Sequence, residues 1–404
     1  MKTQIAAIEF GTSKIVTVIA QNSGGDRLEI AGSGTVPYDG FGQNREWNTP
    51  AQMIRCVRDS IAAAEYESKQ KIKEIYVGVP GQFIHVVASE AQVVLPDGVV
   101  DDIAMAEIAD EAADRLNLEH SGAFVLHRVP VWYQTDDDKV TYNPIAQKGK
   151  QLRAKFTFIL ADPVFLDDVQ EILGALNITI LGFLSPTLGE SMLVTSYRER
   201  DNGAVIINCG FLSTEISVLE HDAIVYHAML PYGGADFNVA LVERLHIPLR
   251  SAEQVKRRFV FNPDETESDA ITEVPDGNGK RVAFSRKEVA PIMEGVFSDI
   301  AELLERVLAD EADTLLNQHS AVLLTGGGLA LMRGAKEALS EKLRRTVKIC
   351  TVKASKMTSP IFASALGLAD FVFDSIEETE SGGLEDVFLK AKNLFAGNKS
   401  ISTK

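Results

Sequence analysis

The sequence predicts an α/β protein built from two like-folded halves that face each other across a cleft. One observation is an internal repeat: Ile5–Gly40 and Ala204–Gly234 run through the same landmarks in the same order. Each opens with an apolar strand ending in an acid or amide (Glu9, Asn208), followed by a glycine-led hairpin loop. Each continues through a β-branched strand, a polar turn and a third strand, and closes on Pro-Tyr-x-Gly at Pro37 and Pro231. Ordered recurrence of that kind argues for duplication. The second observation is "SAVLLTGGGLALMRGAKEAL", a strand, then Gly326-Gly327-Gly328, then a helix. Three consecutive glycines let backbone pass close to a ligand.

The elements follow in order. After the first repeat, "TPAQMIRCVRDSIAAAEY" has helical spacing, and after the second, "ADFNVALVERLHI" does too. The stretch between Asn208 and Thr214 is the unusual hairpin, because Phe211 and Leu212 stand where a phosphate-approaching loop is normally small. A chain of 404 residues holds more than one domain, and 45% hydrophobic with 24% charged residues is ordinary for a globular protein. A net charge of −17 disfavours nucleic acid as a partner. Cys56, Cys209 and Cys350 are too dispersed for a metal and suit a reducing compartment. His85, His120, His127 and His221 show no ligand spacing and are read as structural or surface residues. Glu9 interrupts the apolar run at the N-terminus, which excludes a signal-peptide layout there, and no stretch approaches the roughly 18 apolar residues of a membrane span.

The motifs "IEFGTSK", "NCGFLSTE" and "LTGGG", with the helix "SPIFASALGLADF", resemble the actin-like ATPase superfamily, whose two hairpin loops clamp nucleotide phosphates. Within it, "LEIAGSGTVPYDG", "EIYVGVPGQFI", "AMLPYGGADFNVALVERLHIPLRSAEQVK" and "AVLLTGGGLALMRG" resemble the division-protein family FtsA from about Ile5 to Phe371. The insert around "SGAFVLHRVPVWYQTDDDKVTYNPIAQKGKQLRAKFTFILADP" is similar to the SHS2-type subdomain of that family and of the pilus-assembly family PilM. The resemblance implies an actin-like (ribonuclease H-like) fold divided as follows. Residues 1–80 begin the first half, 81–157 form the insert, and 158–200 return to the first half. Residues 201–373 form the second half, with a small subdomain at about 257–310. An acidic linker at 374–383 and an amphipathic helix at 384–397 follow.

The resemblance also implies a site for ATP with Mg²⁺ held through the nucleotide. Gly11 would permit the first turn, the Thr12 and Ser13 amides would meet phosphate, Lys14 would add a cation, and Glu9 would hold a Mg²⁺-bound water. The family pattern for the second loop is roughly Asp-x-Gly-Gly-Gly-Thr-x-Asp. Here Gly210, Ser213 and Thr214 remain and Glu215 keeps a carboxylate, but Asn208 replaces the first acid. An amide cannot take a proton from water or bind Mg²⁺ as well as a carboxylate. Nucleotide binding with slow or absent hydrolysis is the expectation, a plain hairpin or a dead pseudo-ATPase being the alternatives; no catalytic residue is assigned. Glu253 and Lys256, three apart on one helix face, would flank ribose and base, and Gly326, Gly327 and Gly328 would pass beneath the adenosine.

In the tail, Leu384, Val387, Phe388, Ala391, Leu394 and Phe395 form one apolar helical stripe. Such a helix lies on a membrane, docks on a partner, or folds back on its own core. The implied function is a division scaffold that self-assembles into protofilaments and tethers the C-terminal peptide of FtsZ to lipids at the cytoplasmic face of the membrane. Arg281, Arg286 and Lys287 are candidates for meeting an acidic peptide. The alternatives are a PilM-like pilus or secretion scaffold and a nucleotide-free adaptor. A sugar kinase or exopolyphosphatase is disfavoured by Asn208, Phe211 and Leu212.

Overall fold

The computed structural model describes residues 4–21, 28–41, 45–118, 122–136, 139–263, 271–310, 315–317 and 320–381. The chain starts with β1 (Gln4–Phe10), β2 (Lys14–Gln21) and β3 (Glu29–Pro37), crosses through α1 (Pro50–Ser68) and enters β4 (Glu74–Gly78). The insert follows as β5 (Ile84–Val94), α2 (Asp102–Arg115), β6 (Phe124–Thr135) and β7 (Gln151–Ala161). Its three strands pair in the order β5-β7-β6. The first half resumes with α3 (Pro163–Ala175), β8 (Thr179–Leu184), α4 (Pro186–Val194) and α5 (Tyr197–Asp201). The second half contains β9 (Ala204–Cys209), β10 (Thr214–Glu220), β11 (Ala223–Leu230), α6 (Gly234–Leu245) and α7 (Leu249–Arg258). A β12 (Ile271–Pro275)–β13 (Arg281–Ser285) hairpin and α8 (Arg286–Asp310) form its smaller part. The chain then runs through β14 (Ala321–Thr325), α9 (Ala335–Leu343), β15 (Val347–Ile349) and α10 (Ala363–Ser381).

The duplication is visible in the sheets. One reads β3-β2-β1-β4-β8 and the other β11-β10-β9-β14-β15, an antiparallel meander followed by two parallel strands in each. Even the irregularities match, since the register slips at Ile19/Ala20 on β2 and at Val218/Leu219 on β10. Burial explains why these segments are strands: β2 and β9 are buried along most of their length, as strands covered on both faces must be.

The Pro-Tyr-x-Gly landmark has a steric origin. Beyond the third strand a glycine backs the hairpin loop of its own half: the motif's last residue, Gly40, in the first, and the residue before it, Gly233, in the second. A Cβ on Gly40 would lie 2.8 Å from the Thr12 carbonyl oxygen, and one on Gly233 would lie 2.5 Å from that of Phe211. The insert is anchored by Phe83, which meets Phe41, Trp47 and Phe165 in an aromatic cluster. Its strands also pack against β11 of the other half. His127 of the insert is buried and accepts the Ser185 backbone N–H at 2.9 Å, and burial lowers its pKa to about 3.

Two expectations are revised. The glycine turn does not pass straight into a helix: α9 begins only at Ala335, after Gly334 at φ 77°. The acidic segment from residue 374, expected to be a linker, continues α10 to Ser381, because nothing in "DSIEETES" breaks a helix. The tail residues Leu384, Val387, Phe388, Leu394 and Phe395 lie outside the described residues.

Candidate functional site

The two hairpins meet at the cleft floor. Each is closed by the same bond: Gly11 N–H donates to the Lys14 carbonyl at 3.0 Å, and Gly210 N–H to the Ser213 carbonyl at 2.9 Å. The turn of the second loop therefore survives Phe211 and Leu212. The loops also touch directly, the Leu212 N–H donating to Thr12 Oγ1 at 3.2 Å. Gln82, at the root of the insert, donates to Ser213 Oγ at 3.0 Å. Glu9, Gly11, Thr12, Gly81, Gln82, Thr187, Asn208, Gly210, Ser213 and Glu215 border a cavity of about 90 Å³, room for a few waters.

Carboxyls gather beneath it. Glu9 is partly accessible from the cleft, yet its surroundings are desolvating. Burial raises its pKa to about 7, with Lys14 opposing and Glu215 adding. Glu215 stands opposite Asn208 across β10–β9 and accepts from Thr187 Oγ1 at 2.6 Å. His227 Nε2 lies 2.7 Å from the same Glu215 oxygen. Asn208 Nδ2 donates to Glu190 Oε2 at 2.8 Å, from β9 to α4. Glu190 is 2% exposed, and burial raises its pKa to about 8.

The glycine turn closes the other side. Gly326 has φ 77°, and a Cβ there would sit 2.3 Å from the Cys209 carbonyl oxygen, so only glycine fits. Gly328 N–H donates to that same carbonyl at 2.7 Å. Lys256, 7% exposed, donates to the Gly234 carbonyl at 2.9 Å and pairs with Glu253 at 2.6 Å. Glu253 also accepts from Asn238 Nδ2 at 2.9 Å and from Arg257. Although burial pushes the Glu253 pKa upward, these bonds hold it below the usual value. Asn238 Oδ1 is buried without a partner, an acceptor left over beside Glu253.

Most of the sequence-derived residues therefore converge, with three differences. Thr214 belongs to the core: it is fully buried, and its hydroxyl donates to the Tyr232 carbonyl at 2.8 Å, because strand alternation turns it inward where Ser213 turns to the cleft. Lys14 ties the first loop to the residues ahead of α10, donating to the Ile361 carbonyl at 2.8 Å and lying 4.6 Å above the Phe362 ring. Ser13 does not border the cavity. Sequence reading passed over Gln82, Thr187, Glu190 and His227. The one available signal was Glu190 itself, the single charge in "PTLGESMLV".

The family model for "Cell division protein FtsA" matches residues 205–367. FtsA of Neisseria meningitidis is 24% identical over 95% of this chain and 94% of its own length. FtsA of Bacillus subtilis is 23% identical over 90% and 82% respectively. The chain is thus similar to FtsA proteins along nearly its whole length, and to the FtsA family model over much of its second half. Among solved structures, the PilM–PilN type IV pilus biogenesis complex aligns with TM-score 0.60 at 18% identity, covering 91% of this chain and 98% of that one. MreB5 of Spiroplasma citri bound to ADP aligns with TM-score 0.50 at 14% identity over 94% and 99%. These likenesses establish the actin-like fold.

The residues fit the nucleotide that an actin-like fold implies. The Leu212 N–H is aimed into the first loop, where an anion's oxygen would replace that of Thr12. At Gly326 and Gly328 the turn has no room for a side chain, and Asn238 leaves an acceptor beside Glu253. Mg²⁺ fits only through phosphate: among the described residues no three His, Cys, Asp or Glu side chains gather as a metal site. Glu9 and Glu215 are enough for an ion that keeps its waters and binds the phosphates. Arg286, a candidate for an acidic peptide, is instead engaged with the Val260 carbonyl and the Phe259 ring, while Arg281 pairs with Glu273.

Proposed function

We propose that this chain is a nucleotide-binding, actin-like scaffold of cell division whose hydrolysis is slow or absent. The observation that carries this reading is the pair of hairpins closed by the same bond on both sides of one cleft, with Asn208 where an acid would order the attacking water. Binding needs the backbone donors, and these are kept. Hydrolysis needs a carboxylate poised at the strand end, and an amide is there instead. In this reading the nucleotide enters as the Thr12–Leu212 contact parts. Glu253, Lys256 and Gly326–Gly328 take the adenosine end, and Gly11, Thr12, Gly210 and Ser213 take the phosphates. The likeness to FtsA supports further roles: assembly into protofilaments, capture of the FtsZ C-terminal peptide by the smaller part of the second half, and attachment to the cytoplasmic face of the membrane through the residues after Ser381.

The test is calorimetric titration with MgATP, with phosphate release followed on the same sample. Binding without turnover is expected. Turnover at the rate of an ordinary ATPase would show that Glu215 or Glu190 has taken over the missing acid. No binding would make the chain a nucleotide-free adaptor. Co-sedimentation with purified FtsZ and anionic lipid vesicles tests the tethering. Retention by neither would return the pilus-type scaffold as the better reading.

A further inference from the structure

Glu190 is a charged-type residue sealed inside the protein next to the cleft, and no step above uses it. It sits one turn into α4, a helix started by Ser185, whose Oγ accepts the Leu188 N–H, and by Pro186. It cannot move aside: Gly367 of α10 packs so closely that a Cβ there would lie 2.3 Å from the Glu190 backbone nitrogen. Its Oε2 accepts from Asn208, while its Oε1 is buried with no hydrogen bond of regular geometry. Thr325 Oγ1, in register with Asn208 on the neighbouring strand, is buried beside this carboxyl and interacts with it only outside regular hydrogen-bond geometry.

A neutral carboxylic acid accounts for this pattern. It has one O–H donor and one acceptor oxygen. A proton on Oε1, towards Thr325, leaves Oε2 to accept from the Asn208 amide. The amide is thereby fixed with its nitrogen towards α4 and its oxygen towards the glycine turn, where a Cβ on Gly326 would be 2.6 Å from Oδ1. Buried polar groups without partners are rare enough that each calls for an explanation, and a fixed orientation for the neighbouring amide supplies one.

We propose that Glu190 is the positioning residue of the cleft: the acid expected at the strand end has been exchanged for an amide there and an acid on α4. The pair Asn208–Glu190 holds an acceptor oxygen at the place where the family pattern has a carboxylate. This rests on the nucleotide-binding reading of the same cleft. Asn208 presents Oδ1 as an acceptor to the site without presenting a negative charge to the phosphates, and Glu190 keeps it from turning round.

The experiment uses the full chain, MgADP as the probe, and four variants, reading affinity by calorimetry and Tm in parallel. Glu190→Leu removes the acceptor and is expected to weaken MgADP about tenfold, the usual scale for loss of an outer-shell partner. Glu190→Gln keeps an oxygen acceptor and an N–H donor in the same shape, so it is expected to retain both affinity and Tm. Asn208→Asp sets carboxyl against carboxyl and is expected to lower both. Asn208→Asp with Glu190→Gln restores one donor and one acceptor and is expected to recover most of each. Wild-type affinity in folded Glu190→Leu, or no recovery in the double variant, overturns the proposal. Failure of the wild type itself to bind MgADP sinks the nucleotide reading. The pair is then decided on Tm: recovery in the double variant upholds it, and additive losses overturn it.

Discussion

The two hairpins share a fold but have diverged in opposite ways. The first keeps small residues, Gly11, Thr12 and Ser13, and keeps its acid in the strand, as Glu9. The second has Phe211 and Leu212 in the loop, an amide at the strand end and its acid displaced to α4. Their backbones nonetheless close with the same bond, and each is backed by a glycine just beyond its own third strand. Hairpin shape in this fold is thus a property of backbone pairing and of the glycine behind the loop. Loop side chains are free to change the chemistry without destroying the turn.

The largest expected effect separates the two acids by pH. Glu190, with its pKa raised to about 8, binds a proton in the folded state that the unfolded chain has already released above its ordinary value of 4.5. Its contribution to stability is full below that value and is lost as pH rises towards about 8, a swing of roughly a few kcal/mol. Glu9, raised to about 7, acts in the same direction over a window that ends lower. His127 acts oppositely: with its pKa lowered from 6.5 to about 3, it costs stability as pH falls through that range. Melting temperature against pH is expected to fall on both sides of a weakly acidic maximum. Glu190→Gln is expected to flatten the alkaline limb, while Glu9→Gln flattens it only in part. Parallel alkaline limbs in wild type and Glu190→Gln would remove Glu190 from the account.

The next effect tests the backing glycines. Gly233→Ala and Gly40→Ala each force a methyl against a loop carbonyl and are expected to cost about 1–3 kcal/mol, the range for overpacked sites. Gly233 should be the worse, since its contact is the shorter. Urea melts compare them, and equal wild-type stability in both would show that the loops yield freely. Smaller again is Phe211→Gly with Leu212→Gly, which makes the second loop like the first. The turn bond remains, so the expected loss is about 1–2 kcal/mol, mostly through a freer unfolded chain, and MgATP affinity should rise. Smallest is Tyr38→Phe, which removes a 2.9 Å bond from its hydroxyl to the Gly11 carbonyl, for about 1 kcal/mol.

The sequence carried the duplicated sheet, the glycine turn and most cleft residues because these are local patterns. An apolar strand, a glycine loop and Pro-Tyr-x-Gly can each be read within a few residues. What it did not carry depends on distant partners. Lys14 looks like a phosphate cation until Ile361 and Phe362, far along the chain, are seen to occupy it. Thr214 looks like a loop hydroxyl until strand alternation commits it to Tyr232. Glu190 looks like one more helix residue, and only the arrival of Asn208 and Gly367 makes it a sealed acid. The helix through residue 381 was missed for another reason: acidic composition suggests a linker, but it is also compatible with a helix.

The short segment before α10 is gripped from both halves. Lys14 of the first half holds the Ile361 carbonyl, and Gly326 of the second donates its N–H to the Pro360 carbonyl at 3.2 Å. Two adjacent peptides are thus pinned to two bodies, like a crossbar between the leaves of a hinge. Any rotation that widens the cleft must stretch or release one of these pins. The first turn of α10 starts directly beyond them, at Ala363, so the root of the last described helix moves in step with the opening of the cleft.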